Sequence, residues 1–352
     1  MDLARHFIGD VAPYDIGCTM ICAICGGTGG ARLARGISNV YDPAKITYIC
    51  NVGDNIRLFG LTICPDIDTV IYYLSGIADY DRGWGLHAES FNFLERSHLF
   101  FPDVWFGLGD KDMATHIWRS DLLSSGWSLM EITIRETDLF GVHSRVIPAT
   151  DTWVETHVEL ASHTKLHYEE YFIRWSCEPH VSQVRYEGIE DAKPGPGVLE
   201  AIASASTVVV APSNPIASIF PIVSVPGVRE ALIRNREKVW AISPVIDALE
   251  LPVGERVRAR SRERLLGSLG LPHSPVSVAR LYREFCSHFV LDERDFAYTP
   301  QLEEMGYSVH LLKTDALTLE RQMELAHDLL QLTEDFNNVG TGPHSRRHTT
   351  RG

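Results

Sequence analysis

The first segment whose composition could do chemistry is Cys25-Gly26-Gly27-Thr28-Gly29-Gly30-Ala31-Arg32. Glycines let backbone N–H groups approach a phosphate, and a helix starting there adds partial positive charge at its N-terminus. The stretch fits neither common phosphate fingerprint. G-x-G-x-x-G counted from Gly27 needs glycine where Arg32 stands, and the P-loop Gly-Lys-Ser/Thr is absent. A tight turn without a ligand is the plainer reading. A second segment, Asn51-Val52-Gly53-Asp54-Asn55, is followed by Cys64-Pro65-Asp66-Ile67-Asp68-Thr69. Asp54 falls at the carboxyl end of an expected strand, where open α/β sheets place their ligands. Asp54, Asp66 and Asp68 beside a phosphate-binding turn suit Mg2+, a hard cation that prefers oxygen ligands and substrate phosphates. Asp66 or Asp68 could equally do no more than cap a helix.

Three further segments carry polar chemistry. Gly107 to His116 (GLGDKDMATH) precedes and opens an expected helix; Lys111 and Arg119 could neutralise phosphate, whereas Asp112 could be a cap and His116 a packed histidine. In Val208 to Pro215 (VVVAPSNP) a strand runs into Ser213 and Asn214, which either cap the next helix or leave N–H groups free for a second anion or a nucleotide. Trp84, between Gly83 and Gly85, offers a ring on which a flat ligand could stack, or packs against its neighbours. Cys18, Cys22 and Cys25 have the C-x3-C-x2-C spacing of an iron–sulfur loop in enzymes that cleave S-adenosylmethionine. A buried parallel strand over residues 20–25 competes with that reading. It would point Cys22 and Cys25 to opposite faces and run straight into the glycine turn.

The elements that must position these residues alternate strand and helix, the pattern of a parallel α/β sheet. Strands are expected at 20–25, 46–51, 207–211, 239–242 and 308–312. Helices are expected at 31–38, from 66, at 88–96, 112–124, 129–139, 194–203, 226–234, 276–285 and 319–332. Residues 152–160 and 166–175 read as β-rich segments with many aromatics, an antiparallel insertion serving as a lid or dimer surface. The division is an N-terminal extension at 1–17, an α/β unit at 18–333 with an insertion at about 144–187, and a disordered tail at 334–352.

Composition bounds the function. The 352 residues include 32 Lys and Arg against 46 Asp and Glu, a net charge of −14, which argues against broad binding to nucleic acid or anionic lipid. With 45% hydrophobic and 22% charged residues the chain is an ordinary globular one. No apolar run has the length of a membrane helix, and the N-terminus lacks the apolar core of a secretory signal. Seven cysteines, an odd number, suggest reduced thiols in the cytoplasm.

Taken in order, GGTGGAR, NVGD, CPDIDT, GWG, LGDKDMATH, APSNP, SPVI (Ser243 to Ile246) and VLDERD (Val290 to Asp295) resemble the 2-phospho-L-lactate transferase family of coenzyme F-420 biosynthesis, over about residues 20–332. The resemblance implies a Rossmann-like α/β fold, a Mg2+ requirement and a homodimer. It also implies transfer of a phosphorylated C3 acid (phospholactate, phosphoenolpyruvate or phosphoglycerate) from a guanosine diphosphate-activated donor to the deazaflavin Fo, with release of GMP. On that basis Asp54 and Asp68 are the expected catalytic and metal residues, with Asp66 beside them near the Fo hydroxyl. Gly27, Thr28, Gly29, Gly30, Ser213 and Asn214 fall to the donor's phosphates and nucleotide, and Trp84, Lys111 and His116 to ligand contacts. Asp68→Ala is expected to abolish turnover with the fold intact. The chain departs from the family pattern in four places: Asn55 stands where a second acid is common, Lys111 where an arginine is more usual, Phe220 replaces a glycine after Ser218-Ile219, and Asp247-Ala248-Leu249 replaces a glycine-rich run. The nearest rival is a nucleotide-sugar-binding regulatory protein of the related superfamily, whose acidic and P-P-G-D-I-R segments are absent. A radical enzyme and a nicotinamide dehydrogenase are weaker.

Overall fold

The computed structural model describes residues 20–247, 249 and 253–340. The expected N-terminal extension, Cys18, Ala248 and the end of the tail lie outside them. The chain opens with β1 (Ile21–Cys25), α1 (Gly27–Val40) and β2 (Ile46–Cys50). Both strands are buried at every residue, so both faces of the sheet are covered, as continuous apolar runs such as ICAIC require. A hairpin, β3 (Ile56–Leu58) and β4 (Leu61–Ile63), leads to α2 (Pro65–Ser75), which has Pro65 at its first position and Gly76 in the left-handed region (φ 81°) at its end. Then come α3 (Asn92–Ser97), α4 (Asp110–Ser124) and α5 (Leu129–Leu139), the last opened by a Ser128–Glu131 capping box.

Next along the chain is β5 (Arg145–Pro148), followed by three antiparallel strands: β6 (Glu155–Leu160), β7 (Lys165–His167) and β8 (Val181–Glu187). The α/β alternation resumes with α6 (Val198–Ser204), β9 (Thr207–Val210), α7 (Phe220–Val223), α8 (Val228–Arg234) and β10 (Val239–Ile242). It closes with α9 (Val253–Ser268), α10 (Pro275–Tyr282), β11 (His288–Asp292), α11 (Thr299–Glu304), β12 (Ser308–Leu312) and α12 (Leu319–Gly340).

Seven strands form one sheet in the order β12-β11-β10-β9-β1-β2-β5, every neighbouring pair parallel. This is the expected Rossmann-like α/β architecture. From β1 the chain winds outward through β2 and β5, then returns to β9 and winds the other way. The order therefore reverses between β1 and β9, and a crevice opens there at the carboxyl ends of the strands. Helix α1 packs on α2 and α12, and α6 packs on α8. Val158, Leu160 and Leu166 of the small antiparallel sheet, with Tyr171 of the turn that follows β7, form a second core with Ile216, Leu265 and Leu266, which fastens that sheet to α9.

Several boundaries differ from expectation. The glycines do not form a loop, since α1 already begins at Gly27. The strand β5 belongs to the main sheet, so the insertion starts after Pro148 rather than at 144. The expected strand over 166–175 ends at His167 and gives way to a helical turn, Glu170–Arg174. The spacing of Tyr168, Tyr171, Phe172 and Trp175 is in fact that of a helix face. Helix α9 lies in a charge-dense stretch with no apolar stripe to announce it. Helix α12 runs to Gly340, past its expected end at 332 and into the expected tail. Cys22, Cys25, Cys50, Cys64, Cys177 and Cys286 are all free and buried, and Cys22 and Cys25 lie within β1 as the strand reading requires. No single helix among the described residues is long and apolar enough to cross a membrane.

Candidate functional site

A cavity of about 370 Å3 opens at the reversal between β1 and β9. Its floor is the start of α1, where three glycines are required by close approach. A Cβ on Gly26 would lie 2.3 Å from Asp66 Oδ2, one on Gly29 2.3 Å from the Pro212 carbonyl oxygen, and one on Gly30 2.8 Å from the Cys25 Cβ. Gly27 sits at φ +59°. Gly26, Gly27, Thr28 and Gly29 line the cavity, whereas Gly30 does not; it is a packing glycine rather than the phosphate contact expected of it. Ser213 Oγ donates to the Gly26 carbonyl (2.7 Å) and accepts from the Gly26 N–H (3.3 Å), which ties the end of β9 to this turn. Asn214 Oδ1 accepts from the N–H groups of Ile216 and Ala217 at 3.0 and 3.1 Å, so the capping role is filled. Both residues nevertheless line the cavity.

The carboxylates divide into two groups. In the first, Asp54, Asp66 and Glu169 are buried in the cavity wall. Asn51 Nδ2 donates to Asp66 Oδ2 at 2.8 Å, while Asp54 Oδ1 has no hydrogen-bond partner. Burial pushes the Asp54 carboxyl well above its ordinary range, and the charges of Asp66 and Glu169 push it further. Burial raises Asp66 to about 6, against hydrogen bonds from Asn51 and Gly27. Burial, then Asp66, raises Glu169 to about 8. Glu169 is held there by His167, whose Nδ1 accepts from the Glu169 N–H (3.1 Å) while its Nε2 meets the Asn55 carbonyl oxygen (3.1 Å). The small sheet is thereby latched to the turn that carries Asp54.

In the second group, Asp68 does not join Asp54. Its carboxylate is gripped by the fully buried Arg119, at 3.0 Å from Nη1 and closer still from Nη2, and Arg119 also donates to Glu136 at 2.9 Å. His116 lies between Asp68 (3.6 Å) and Asp112 (3.4 Å), and Tyr72 donates to Asp112 at 2.6 Å. This network ties α2, α4 and α5 together. Asp68, Asp112 and His116 reach the cavity wall, but the carboxylate expected to bind metal with Asp54 already faces a cation.

Trp84 lies at the cavity wall, 39% exposed, with the Arg82 guanidinium 4.6 Å from its ring centre. Lys111 does not line the cavity; it is exposed, and its ammonium donates to the His87 carbonyl at 2.9 Å. Phe220, one of the departures from the family pattern, stacks on Tyr282 at 6.3 Å and is a packing change. Residues that sequence reading passed over also line the site: Glu169 from the insertion, and Arg258, Ser261 and Arg262 from α9. Their signals were the helical spacing of the aromatics at 168–175 and the i, i+4 spacing of Arg258 and Arg262.

A glycine-started helix, clustered carboxylates and arginines at the reversal point of a parallel sheet define the site of an α/β enzyme that handles phosphorylated ligands. A family model described as 2-phospho-L-lactate transferase CofD matches residues 21–293. A phosphoenolpyruvate transferase of Streptomyces coelicolor is 36% identical over 327 residues, covering 91% of this chain and 99% of the relative. A 2-phospho-L-lactate transferase of Methanosarcina mazei is 34% identical over 306 residues, covering 87% and 98%. A crystal structure of a UPF0052 family member from Bacillus halodurans superposes with a TM-score of 0.55 at 16% identity, covering 89% of this chain and 98% of that one, a likeness of fold alone. The chain belongs to the 2-phospho-L-lactate transferase CofD family, the transferases of coenzyme F-420 biosynthesis.

Proposed function

We propose that the protein transfers a phosphorylated C3 acid from its guanosine diphosphate-activated donor to the ribityl hydroxyl of Fo and releases GMP. The observation that carries this reading is one cavity holding both an anion-binding floor, the start of α1, and a buried, partly unpartnered carboxylate set, Asp54, Asp66 and Glu169. The hydroxyl oxygen attacks the phosphorus that bears the C3 acid; the new O–P bond forms as the bond to the GMP oxygen breaks in line. Asp54, through its unpartnered Oδ1, takes the hydroxyl proton, and the N–H groups of Gly27 to Gly29 hold donor phosphate oxygens. The flat deazaflavin ring stacks on Trp84.

Asp66 raises the proton affinity of both Asp54 and Glu169, and these three buried carboxylates of one cavity wall, together with the donor's phosphate oxygens, would hold Mg2+. Bound there, Mg2+ supplies neutralisation of diphosphate charge. Asp68 is not part of this set; it positions α2 through Arg119. We also propose a cytoplasmic homodimer. The exposed apolar side chains Leu99, Phe100 and Phe101 support a protein interface, which sedimentation would reveal.

The test uses purified protein, Fo, Mg2+ and each guanosine diphosphate-activated C3 acid in turn, with mass spectrometry for the deazaflavin phosphodiester and GMP. One donor is expected to give both products. Folded protein that yields neither product with any donor overturns the reading.

A further inference from the structure

The cavity wall holds three guanidinium groups, Arg32 from α1 and Arg258 and Arg262 from α9, and Glu255 of α9 pairs with the first two. Arg32 Nη1 meets Glu255 Oε1 at 2.9 Å, and Arg258 Nη1 meets the same oxygen at 3.2 Å. Arg258 Nη2 donates to Thr28 Oγ1 at 3.0 Å, which in turn donates to the Gly83 carbonyl at 2.9 Å, so this guanidinium is fixed beside the first turn of α1. One turn further along α9, Arg262 also lines the cavity, yet among the described residues it makes no ion pair and its buried Nε has no hydrogen-bond partner. The Nε2 of His273, also in the cavity wall, is likewise unpartnered. Glu255 supplies one negative charge against the three positive charges of Arg32, Arg258 and Arg262. Burial lowers Arg262 to about 10, and burial followed by the Arg262 charge lowers His273, so both groups are in environments that an anion would relieve.

We propose that Arg258 and Arg262, with His273 beside them, form an anion subsite that takes an anionic group of the activated donor, either its diphosphate or the carboxylate of the C3 acid. The guanidinium fork suits both, because phosphate and carboxylate each accept paired N–H groups. Naming the donor rests on the transferase reading above; the subsite itself stands on the unpaired cations and is tested by binding rather than by turnover.

The experiment is calorimetric titration of the full chain with GDP, inorganic diphosphate and phosphoenolpyruvate. It compares the wild type with Arg262→Gln, Arg258→Gln and Arg262→Lys, each first shown by melting to be folded. Arg262→Gln is expected to weaken binding by about tenfold or more, as loss of a hydrogen bond to a charged group does, with partial recovery in Arg262→Lys. Weakening of GDP and diphosphate assigns the subsite to the donor's phosphates; weakening of phosphoenolpyruvate alone assigns it to the C3 carboxylate. Should Arg262→Gln not fold, Arg262→Lys still tests the fork, since it keeps the charge but not the paired donors. Wild-type affinities retained for all three ligands in the folded variants, or wild-type protein that binds none of them, would overturn the subsite. Anion binding that depends on Arg262 in protein that makes no product would instead sink the transferase reading and leave the subsite standing.

Discussion

Glu169→Gln should make the protein free of ligand more stable, and increasingly so as pH rises. Burial beside Asp66 moves the Glu169 carboxyl from its ordinary 4.5 to about 8, so the folded state holds a proton that the unfolded chain releases. The unfolded state therefore binds fewer protons between those values, and stability falls as pH climbs through that window. Integrating the two titrations gives a loss of about 1 kcal/mol at pH 5 and about 4 kcal/mol at pH 8. Glutamine fills the same volume without ionising and escapes the loss. For a chain of this length each kcal/mol moves the melting temperature by about 1–2 °C, so the advantage of Glu169→Gln should grow by about 4 °C between pH 5 and pH 8. The assay is thermal melting of wild type and variant across that range, with and without Mg2+. If Asp54, Asp66 and Glu169 hold the cation, Mg2+ restores the wild type at pH 8 and does less for the variant. Parallel melting curves for the two proteins at every pH would refute the argument, because they would mean that Glu169 titrates as it does in water.

The other expectations follow from the same wall of the cavity. Asp54→Asn should lower kcat by about 100-fold or more in a transfer assay, as loss of a positioned base does, while raising the melting temperature at pH 8 in the same direction as Glu169→Gln; unchanged kcat would remove Asp54 from the chemistry. Trp84→Ala should raise KM for Fo about tenfold with little change in kcat, since ring stacking contributes about 1–3 kcal/mol; steady-state kinetics with Fo varied would show it. Asp68→Ala should destabilise the fold by about 3–5 kcal/mol in denaturant unfolding, because the buried Arg119 would lose one of its two carboxylate partners and keep only Glu136. The double variant Asp68→Ala with Arg119→Met should recover part of that loss, and a wild-type midpoint for Asp68→Ala alone would show that the pair carries little.

What was legible in the sequence followed local rules. The run ICAIC reads as a strand covered on both faces, and the glycines behind it as the entry to a helix. The sheet and the place of its ligand crevice therefore follow from alternation and from the point where strand order reverses. Asp54 and Asp66 stand near that crevice in sequence, and in space both line the cavity. Asp68 shows where such reasoning stops. In the sequence it is as good a ligand as Asp66, two residues away on the same first turn of α2. What the spacing does not announce is Arg119, on another helix, whose guanidinium pairs with Asp68 in a network where Asp68, Asp112 and His116 also offer ligand atoms within 4.8 Å of one another. Lys111 shows the converse: it has the charge and the motif expected of a ligand contact, but its ammonium meets the His87 carbonyl and it does not line the cavity. Glu169 and Arg262 carry only weak signals, helical spacing around each, and neither signal says that the residue faces a ligand. Each reaches the cavity only because the small sheet is latched by His167 and packed on α9, and such long-range closure is not written in the spacing of neighbouring residues. Both charged sets of the cavity lie where distant segments meet. The acidic set and the arginine set therefore owe their chemistry to the fold rather than to any motif, and a variant that loosens the insertion should disturb both at once.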